Sequence, residues 1–172
     1  MPEIIKTYRQ TVGAMRFIGK QYSNEDRIDG GFGAKWGQFF ENEWFATLEK
    51  LVDDLRTIYE DGDAYIGLMR WKENEPFQYW IGMFMPPDTK APEGFDFVDF
   101  PAGNLGVCWL HGHESEIFMQ EEKCANKLLE EGMKAKPDEQ GAYWFFERYA
   151  CPRFTEADKD GKVILDIVHY VQ

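Results

Sequence analysis

The sequence predicts an α+β fold in which duplicated strand-helix-strand-strand units form an antiparallel sheet, with two helices on one face and a ligand cleft between the halves. Three observations support this. Short aromatic and β-branched runs are bounded by turn residues. Two amphipathic stretches begin near Trp36 and Glu114. The order of elements also repeats, so residues 1–172 are expected to be a single domain with pseudo-repeats about 1–88 and 89–172. The face of the sheet opposite the helices would be exposed to solvent unless another part of the chain or a partner covers it.

The first half of the chain supplies one unit. Tyr8–Tyr22 is predicted to be a strand that bends at a glycine, and a polar, glycine-rich loop follows it. Apolar side chains at steps of three or four predict a core-facing helix over Trp36–Ile58. Ala64–Trp71 and Phe77–Met85 then have the pattern of two strands joined by a short hairpin.

The second half supplies the other unit. Phe95–Phe100 and Gly103–Leu110 are predicted to be one strand with a proline-containing break. An amphipathic helix is expected over Glu114–Glu131, with Phe118, Ala125, Leu128 and Leu129 on one side. Ala142–Tyr149 and Lys162–Val171 complete the sheet as a hairpin.

Composition narrows the class of partner. The net charge of −12 opposes binding to nucleic-acid phosphates and to anionic membranes, so neither is an expected partner. No apolar run approaches the length of a membrane span, and the N-terminus lacks the apolar core of a signal peptide. Three cysteines, an odd number with no C-x-x-C pair, indicate a reducing compartment. We therefore expect a cytoplasmic protein.

The stretch "AYWFFERY" contains the most informative residue, Glu147. Strand alternation places Tyr143, Phe145, Glu147 and Tyr149 on one face. A carboxylate among rings is either paired at the core edge or the negative centre of an aromatic pocket. Such a pocket suits a flat lipophilic cation, or a carboxyl with a raised pKa that acts as an acid or base. The many rings, six Trp, eight Tyr and fourteen Phe, would then form the pocket wall.

Other motifs point to ordinary structure. His111 and His113 could bind a metal, but no further ligands stand at a recognisable spacing, so a turn is expected, with no metal and no cofactor. His169 is predicted to be a surface or sheet residue. The segment "GGFGAKWG" does not match a phosphate-binding loop and could be a mobile flap, with Trp36 beside a pocket.

Four segments in order carry a resemblance to a known family: "YWIGMFM", "PEGFDFVDFPAGNLGVCWLHG", "FFERY" and "ILDIVHYV". Together they resemble the GyrI-like small-molecule-binding family, the effector-binding domains of multidrug-sensing transcription activators and their stand-alone relatives. The resemblance covers essentially the whole chain. Leu105 and Tyr170 depart from the family pattern, where Tyr and Pro are frequent.

The resemblance implies that Glu147 is the acidic centre of a drug pocket and that Tyr149 lies beside it. The other residues expected to form the ligand-binding wall share an aromatic or thioether side chain: Phe145, Tyr65, Met69, Trp71, Tyr79 and Trp109.

The resemblance leads to three candidate functions. The first is a stand-alone multidrug-binding protein for lipophilic aromatic, cationic small molecules. The second is a hydrolase of cyclopropane-bearing alkylating natural products that uses Glu147 as general acid and base. The third is a gyrase-inhibitor-like interaction protein whose acidic surface contacts an unidentified protein partner. The chain begins at its first strand, without the helix-turn-helix segment of the activators, so we expect no direct contact with DNA.

Overall fold

The computed structural model describes residues 1–172 and has an eight-stranded, fully antiparallel sheet, which confirms the predicted α+β class. The spatial order is β1-β6-β8-β7-β3-β4-β2-β5. The strands are β1 (Glu3–Val12), β2 (Met15–Tyr22), β3 (Tyr65–Trp71), β4 (Gln78–Met85), β5 (Asp96–Phe100), β6 (Gly103–Gly112), β7 (Tyr143–Tyr149) and β8 (Val163–Val171). The helices are α1 (Gly33–Glu41), α2 (Trp44–Glu49) and α3 (Glu121–Glu130), with 3-10 turns at Asn24–Asp26 and Leu55–Thr57.

All three α-helices cover the same face of the sheet. Beneath α1 and α2 lie Ile81 and Met83 of β4, both fully buried. Beneath α3 lie Leu110 of β6 and Leu165 of β8. The helices therefore leave a gap over β3, β7 and part of β8, in the middle of the sheet. None of these helices is long and apolar enough to cross a membrane.

The opposite face is covered by the sheet itself, which curls. Phe100 on edge strand β5 stacks on Tyr170 of β8, with ring centroids 5.1 Å apart, and contacts Trp144 of β7 at 5.2 Å. The short link at Gly13 also joins β1, at one edge, to β2, near the other edge. A second apolar core thus fills the inside of the curl, so this face is not bare.

Two predicted strands are divided in the structure. The single strand expected over Tyr8–Tyr22 is two strands, because the chain leaves β1 after Val12 and enters β2 at Met15. Both residues point into the same core, so the hydrophobic pattern hides the break. The broken strand expected after the central link is also two strands: β5 pairs with β2, whereas β6 pairs with β1 and β8.

The long helix predicted over Trp36–Ile58 is wrong as a continuous element. Glu43 adopts a left-handed conformation, with φ of 55°, and separates α1 from α2. The backbone N–H and the side chain of Asn42 both donate to the carbonyl of Gln38 (2.9 and 2.8 Å), which caps the end of α1. The apolar spacing continues across this break because both helices pack on the same sheet face.

The second predicted helix is shorter than expected. It begins at Glu121, because the preceding segment is irregular and Met119 has a φ of 66°. Phe118 and Leu129, predicted to face the core, are 39% and 56% exposed. Ile117 and Cys124 are fully buried and face the core instead.

A buried ionic network holds the inner face of β7 to its neighbours. Arg148, fully buried, donates through Nε to Asp166 of β8 (2.8 Å) and through Nη1 to Gln10 of β1 (2.8 Å). Asp61 lies 3.3 Å from Arg148 Nη2, and Arg153 bonds to both aspartates. Each charge in this network has an opposite partner, which a buried charge requires.

Asp166→Ala tests this network. The substitution leaves the Arg148 guanidinium buried with fewer partners, so we expect a loss of about 3–5 kcal/mol in the free energy of unfolding, measured by urea denaturation. Asp99→Ala is the control, because Asp99 pairs with Arg16 at an exposed position and should contribute less than about 1 kcal/mol. Equal losses for the two variants would show that the buried network contributes no more to the free energy of unfolding than an exposed ion pair.

Candidate functional site

The gap between the helices opens into a cavity of about 1090 Å³ on the helix-covered face of the sheet. Its floor comes from β3, β4, β7 and β8, and its rim comes from the glycine-rich loop and the start of α3. The principal lining residues are Arg27, Phe32, Met69, Trp71, Phe77, Tyr79, Phe118, Met119, Glu121, Ala125, Tyr143, Phe145, Glu147, Tyr149 and His169.

Glu147 lies deep in this cavity, on β7, and is 6% exposed. Its Oε1 accepts a hydrogen bond from the Tyr79 hydroxyl (2.8 Å). That hydroxyl in turn accepts one from Trp36 Nε1 (3.0 Å). No lysine or arginine forms an ion pair with Glu147, in contrast to the network around Arg148 on the other face of the strand.

The environment of Glu147 changes its acidity. Burial raises its pKa, the negative charge of Glu121 raises it further, and hydrogen bonding to Tyr79 and Tyr149 offsets part of the rise, so the pKa is about 7. The folded protein therefore holds a mixture of neutral and ionised Glu147 at neutral pH. A positive charge brought into the cavity would favour the ionised form.

Aromatic rings surround this carboxyl. Phe32, from the glycine-rich loop, stacks on Tyr79 with centroids 4.1 Å apart and planes within 3°. Trp36 meets Tyr149 edge-on at 4.9 Å. Electron-rich ring faces attract cations, and flat rings admit flat ligands between them.

Gly67 makes room for the hydrogen bond at the centre of the site. It lies opposite Glu147 in the β3–β7 pair. A Cβ at this position would come within 2.5 Å of the Tyr79 hydroxyl and 2.8 Å of Glu147 Oε1. Only glycine lets these two groups meet above the strand without displacement.

Six of the eight predicted site residues line the cavity: Glu147, Tyr149, Phe145, Met69, Trp71 and Tyr79. Tyr65 does not, because it stacks on Phe45 of α2 (3.7 Å) and donates to Glu49 (2.9 Å). Trp109 does not either, because it points to the inner face of the curl, where it lies under Arg153. Whether the six bind a ligand stays a prediction.

His169 is the main cavity residue that sequence reasoning missed. It is 7% exposed, lies opposite Phe145 in the β7–β8 pair and stacks on that ring at 5.2 Å. Its Nδ1 has no hydrogen-bond partner, and burial lowers its pKa to about 4, so the imidazole is neutral at physiological pH. A single histidine in a mainly apolar strand was the available signal.

The two other histidines belong to the far end of the sheet. His111 Nε2 lies 2.8 Å from Asp158, and His113 Nδ1 lies 3.3 Å from the Gly161 carbonyl. Both contacts tie β6 to the turn before β8. No group of three or more histidine, cysteine or acidic side chains is arranged to hold a metal ion.

A second cavity, of about 830 Å³, opens on the other side of the sheet near β5. Its arginines already have acidic partners: Arg16 pairs with Asp99 (2.7 Å) and Arg70 with Glu75 (3.0 Å). The cavity around Glu147, where the buried carboxyl lacks a cationic partner, is therefore the candidate functional site.

No protein-family model matches the sequence, and no curated protein matches it. Solved structures do share the fold. SAV2435 bound to tetraphenylphosphonium aligns with a TM-score of 0.67 and 16% identity, over 98% of this chain and 94% of that chain. A protein from Staphylococcus aureus MU50, proposed to act in bacterial transcription regulation, gives 0.65 and 16%, over 98% and 99%. A hydrolase from Listeria innocua gives 0.51 and 13%, over 97% and 92%.

Gly67→Ala should disrupt the centre of the site. The added methyl group must displace either the Tyr79 hydroxyl or the Glu147 carboxyl, so we expect a loss of about 1–3 kcal/mol in unfolding free energy. Urea denaturation measures it. Gly103→Ala on β6 is the control, because a Cβ there meets nothing within 4 Å. A loss at Gly67 no larger than at Gly103 would contradict the steric argument.

The raised pKa of Glu147 predicts a pH-dependent stability. The ordinary value is 4.5 and the folded value is about 7, so the unfolded chain loses this proton first as the pH rises. Ionisation of Glu147 thus lowers stability between these two values and leaves it constant above them. Glu147→Gln has no proton to lose at this position.

We expect the unfolding free energy of Glu147→Gln, relative to the unsubstituted protein, to rise by about 2–3 kcal/mol from pH 5 to pH 8. Urea denaturation at a series of pH values measures the difference. Glu41→Gln, an exposed position on α1, is the matched control and should show no such trend. A flat difference for Glu147→Gln would show that its pKa is not raised.

Proposed function

We propose that this protein is a GyrI-like, stand-alone binding protein for lipophilic aromatic cations, and that Glu147 is its charge partner for the ligand. The observation that carries the proposal is a deeply buried carboxyl, without a basic partner, in a cavity walled by aromatic rings. A monocation entering the cavity would gain ring contacts and an ion pair in a poorly solvated place, where both are strong.

The fold comparison supports this proposal. SAV2435 has the same fold and was solved with tetraphenylphosphonium, a lipophilic aromatic cation. The cavity volume of about 1090 Å³ is sufficient for ligands of this size. Phe145, Tyr149, Met69, Trp71 and Tyr79 would supply the apolar contacts, and Glu147 would select for positive charge.

Hydrolysis is the second candidate. A carboxyl with a pKa of about 7 can both donate and accept a proton at neutral pH, as general acid–base catalysis requires. A hydrolase from Listeria innocua also shares the fold. In this alternative Glu147 would assist attack by water on an electrophilic ligand held in the same cavity.

A matched pair of ligands tests the binding function. Methyltriphenylphosphonium and triphenylphosphine oxide have nearly the same shape, but only the first carries a net charge. Glu147→Gln should weaken binding of the phosphonium by about 1–3 kcal/mol and leave the oxide nearly unaffected. Tryptophan quenching or calorimetry measures both affinities. Similar losses for both ligands would contradict charge pairing.

The phosphonium affinity of the unsubstituted protein should also increase from pH 6 to pH 8. Below a pKa of about 7 the neutral carboxyl must lose a proton before it can pair with the cation, and this can cost up to about tenfold per pH unit. The oxide should show no such increase. A phosphonium affinity independent of pH would exclude Glu147 as the titrating partner.

Mass spectrometry of the ligand after incubation separates binding from hydrolysis. Intact ligand supports the binding function, whereas addition of water to an electrophilic analogue, lost in Glu147→Gln, would favour the hydrolase. An absence of binding across a panel of aromatic cations would contradict the binding function, and an electrophilic analogue left intact would contradict the hydrolase. Both results together would favour a protein partner of the acidic surface.

A further inference from the structure

A second acidic side chain, Glu121, lines the same cavity as Glu147. It is the first residue of α3, at the rim, and is partly buried. It forms no ion pair and no side-chain hydrogen bond with another residue. Burial raises its pKa, which is the expected response of a carboxyl that has lost solvent without gaining a partner.

Arg27, the basic side chain among the cavity-lining residues, is engaged by the glycine-rich loop. Its charge acts on Glu121, but its guanidinium lies over the Phe32 ring (4.6 Å) and donates to Asn24 (3.0 Å) and to the Gly30 carbonyl (3.1 Å). The cation thus holds the glycine-rich loop in place and leaves Glu121 without a direct partner.

The charge of Glu121 acts on the groups at the centre of the cavity. The negative charge of Glu121 contributes to the raised pKa of Glu147 and to those of Tyr79 and Tyr149, the hydroxyl groups around it. The cavity therefore has one carboxyl at its floor and another at its rim, with the Arg27 guanidinium also among its lining residues. A monocation paired with Glu147 would leave Glu121 without a direct cationic partner.

His169 is an independent indication that the cavity receives a ligand with more than one polar feature. Its side chain is more than nine-tenths buried, it lines the cavity, and its Nδ1 has no partner. Buried polar atoms without partners are uncommon in folded proteins, and the Nδ1 of His169 is the one among them that lies at this cavity, where a ligand can supply its partner.

We propose that the cavity binds elongated aromatic dications, with one positive charge at Glu147 and the second at Glu121. This inference rests on the proposed cation-binding function and specifies its substrate class. The ring system would occupy the aromatic floor, and a charged arm would extend toward the start of α3. There the helix N-terminus itself disfavours a cation, so the Glu121 carboxylate is the group that makes a positive arm acceptable.

Ethidium and propidium provide the matched probes. They share one phenanthridinium ring, and propidium replaces the N-ethyl group of ethidium with a flexible propyl arm that ends in a quaternary ammonium, which adds one positive charge. At pH 8, where Glu147 is largely ionised, propidium should bind about five- to tenfold more tightly than ethidium. Fluorescence titration on protein free of nucleic acid measures both affinities.

Glu121→Gln should weaken propidium binding more than ethidium binding and so remove most of the propidium advantage. Glu130→Gln, on the same helix but away from the cavity, is the control for the loss of one negative charge and should keep the advantage. Glu147→Gln should weaken both dyes. Thermal unfolding of each variant verifies that it is folded.

The outcomes separate this inference from the proposed function. If ethidium binds and depends on Glu147, but propidium binds no more tightly, the dication inference is overturned and the cation-binding function stands. The inference is also overturned if Glu121→Gln and Glu130→Gln reduce propidium binding equally. If neither dye binds, both proposals fail.

Discussion

A β-strand directs neighbouring side chains to opposite sides of its sheet, and β7 uses this constraint to hold two opposite charges back to back. Glu147 points to the helix-covered cavity and Arg148 points to the core inside the curl. Arg148 is fully paired, with Asp166, Asp61 and Gln10. Glu147 has hydroxyl groups as its polar partners and no basic residue. The charge on one side of the strand is therefore neutralised by opposite charges, whereas the charge on the other side is not.

The lack of a basic partner for Glu147 accounts for the structure around it. The helices part over the middle of the sheet, and Gly67 leaves room for the Tyr79 hydroxyl to reach Glu147. Trp36 extends this chain of hydrogen bonds to α1. These hydroxyl groups stabilise the ionised carboxyl only in part, because burial and the charge of Glu121 still raise its pKa. The remaining cost is unfavourable for folding alone and favourable for a site that accepts positive charge.

The sequence predicted the strands around the site well and the helices poorly. β3, β4 and β7 have strong alternation bounded by turn residues, so their limits were predicted to within a residue or two. The helical spacing from Trp36 continues across Glu43 and past the end of α2 at Glu49, because periodicity registers neither the left-handed residue nor the irregular backbone that follows α2. Tyr65 is on the expected face but is covered by Phe45, and coverage by a distant helix cannot be derived from alternation.

The back-to-back arrangement on β7 also bears on how such a protein can change over time. Interactions that hold the sheet together lie on the Arg148 side, whereas the walls that would select a ligand lie on the Glu147 side. Exchanges at Tyr143, Phe145 or Tyr149 alter the shape and polarity of the cavity without touching the ionic network. A lineage of such proteins can therefore diversify its ligands by substitution at every second position of one strand while the scaffold stays intact.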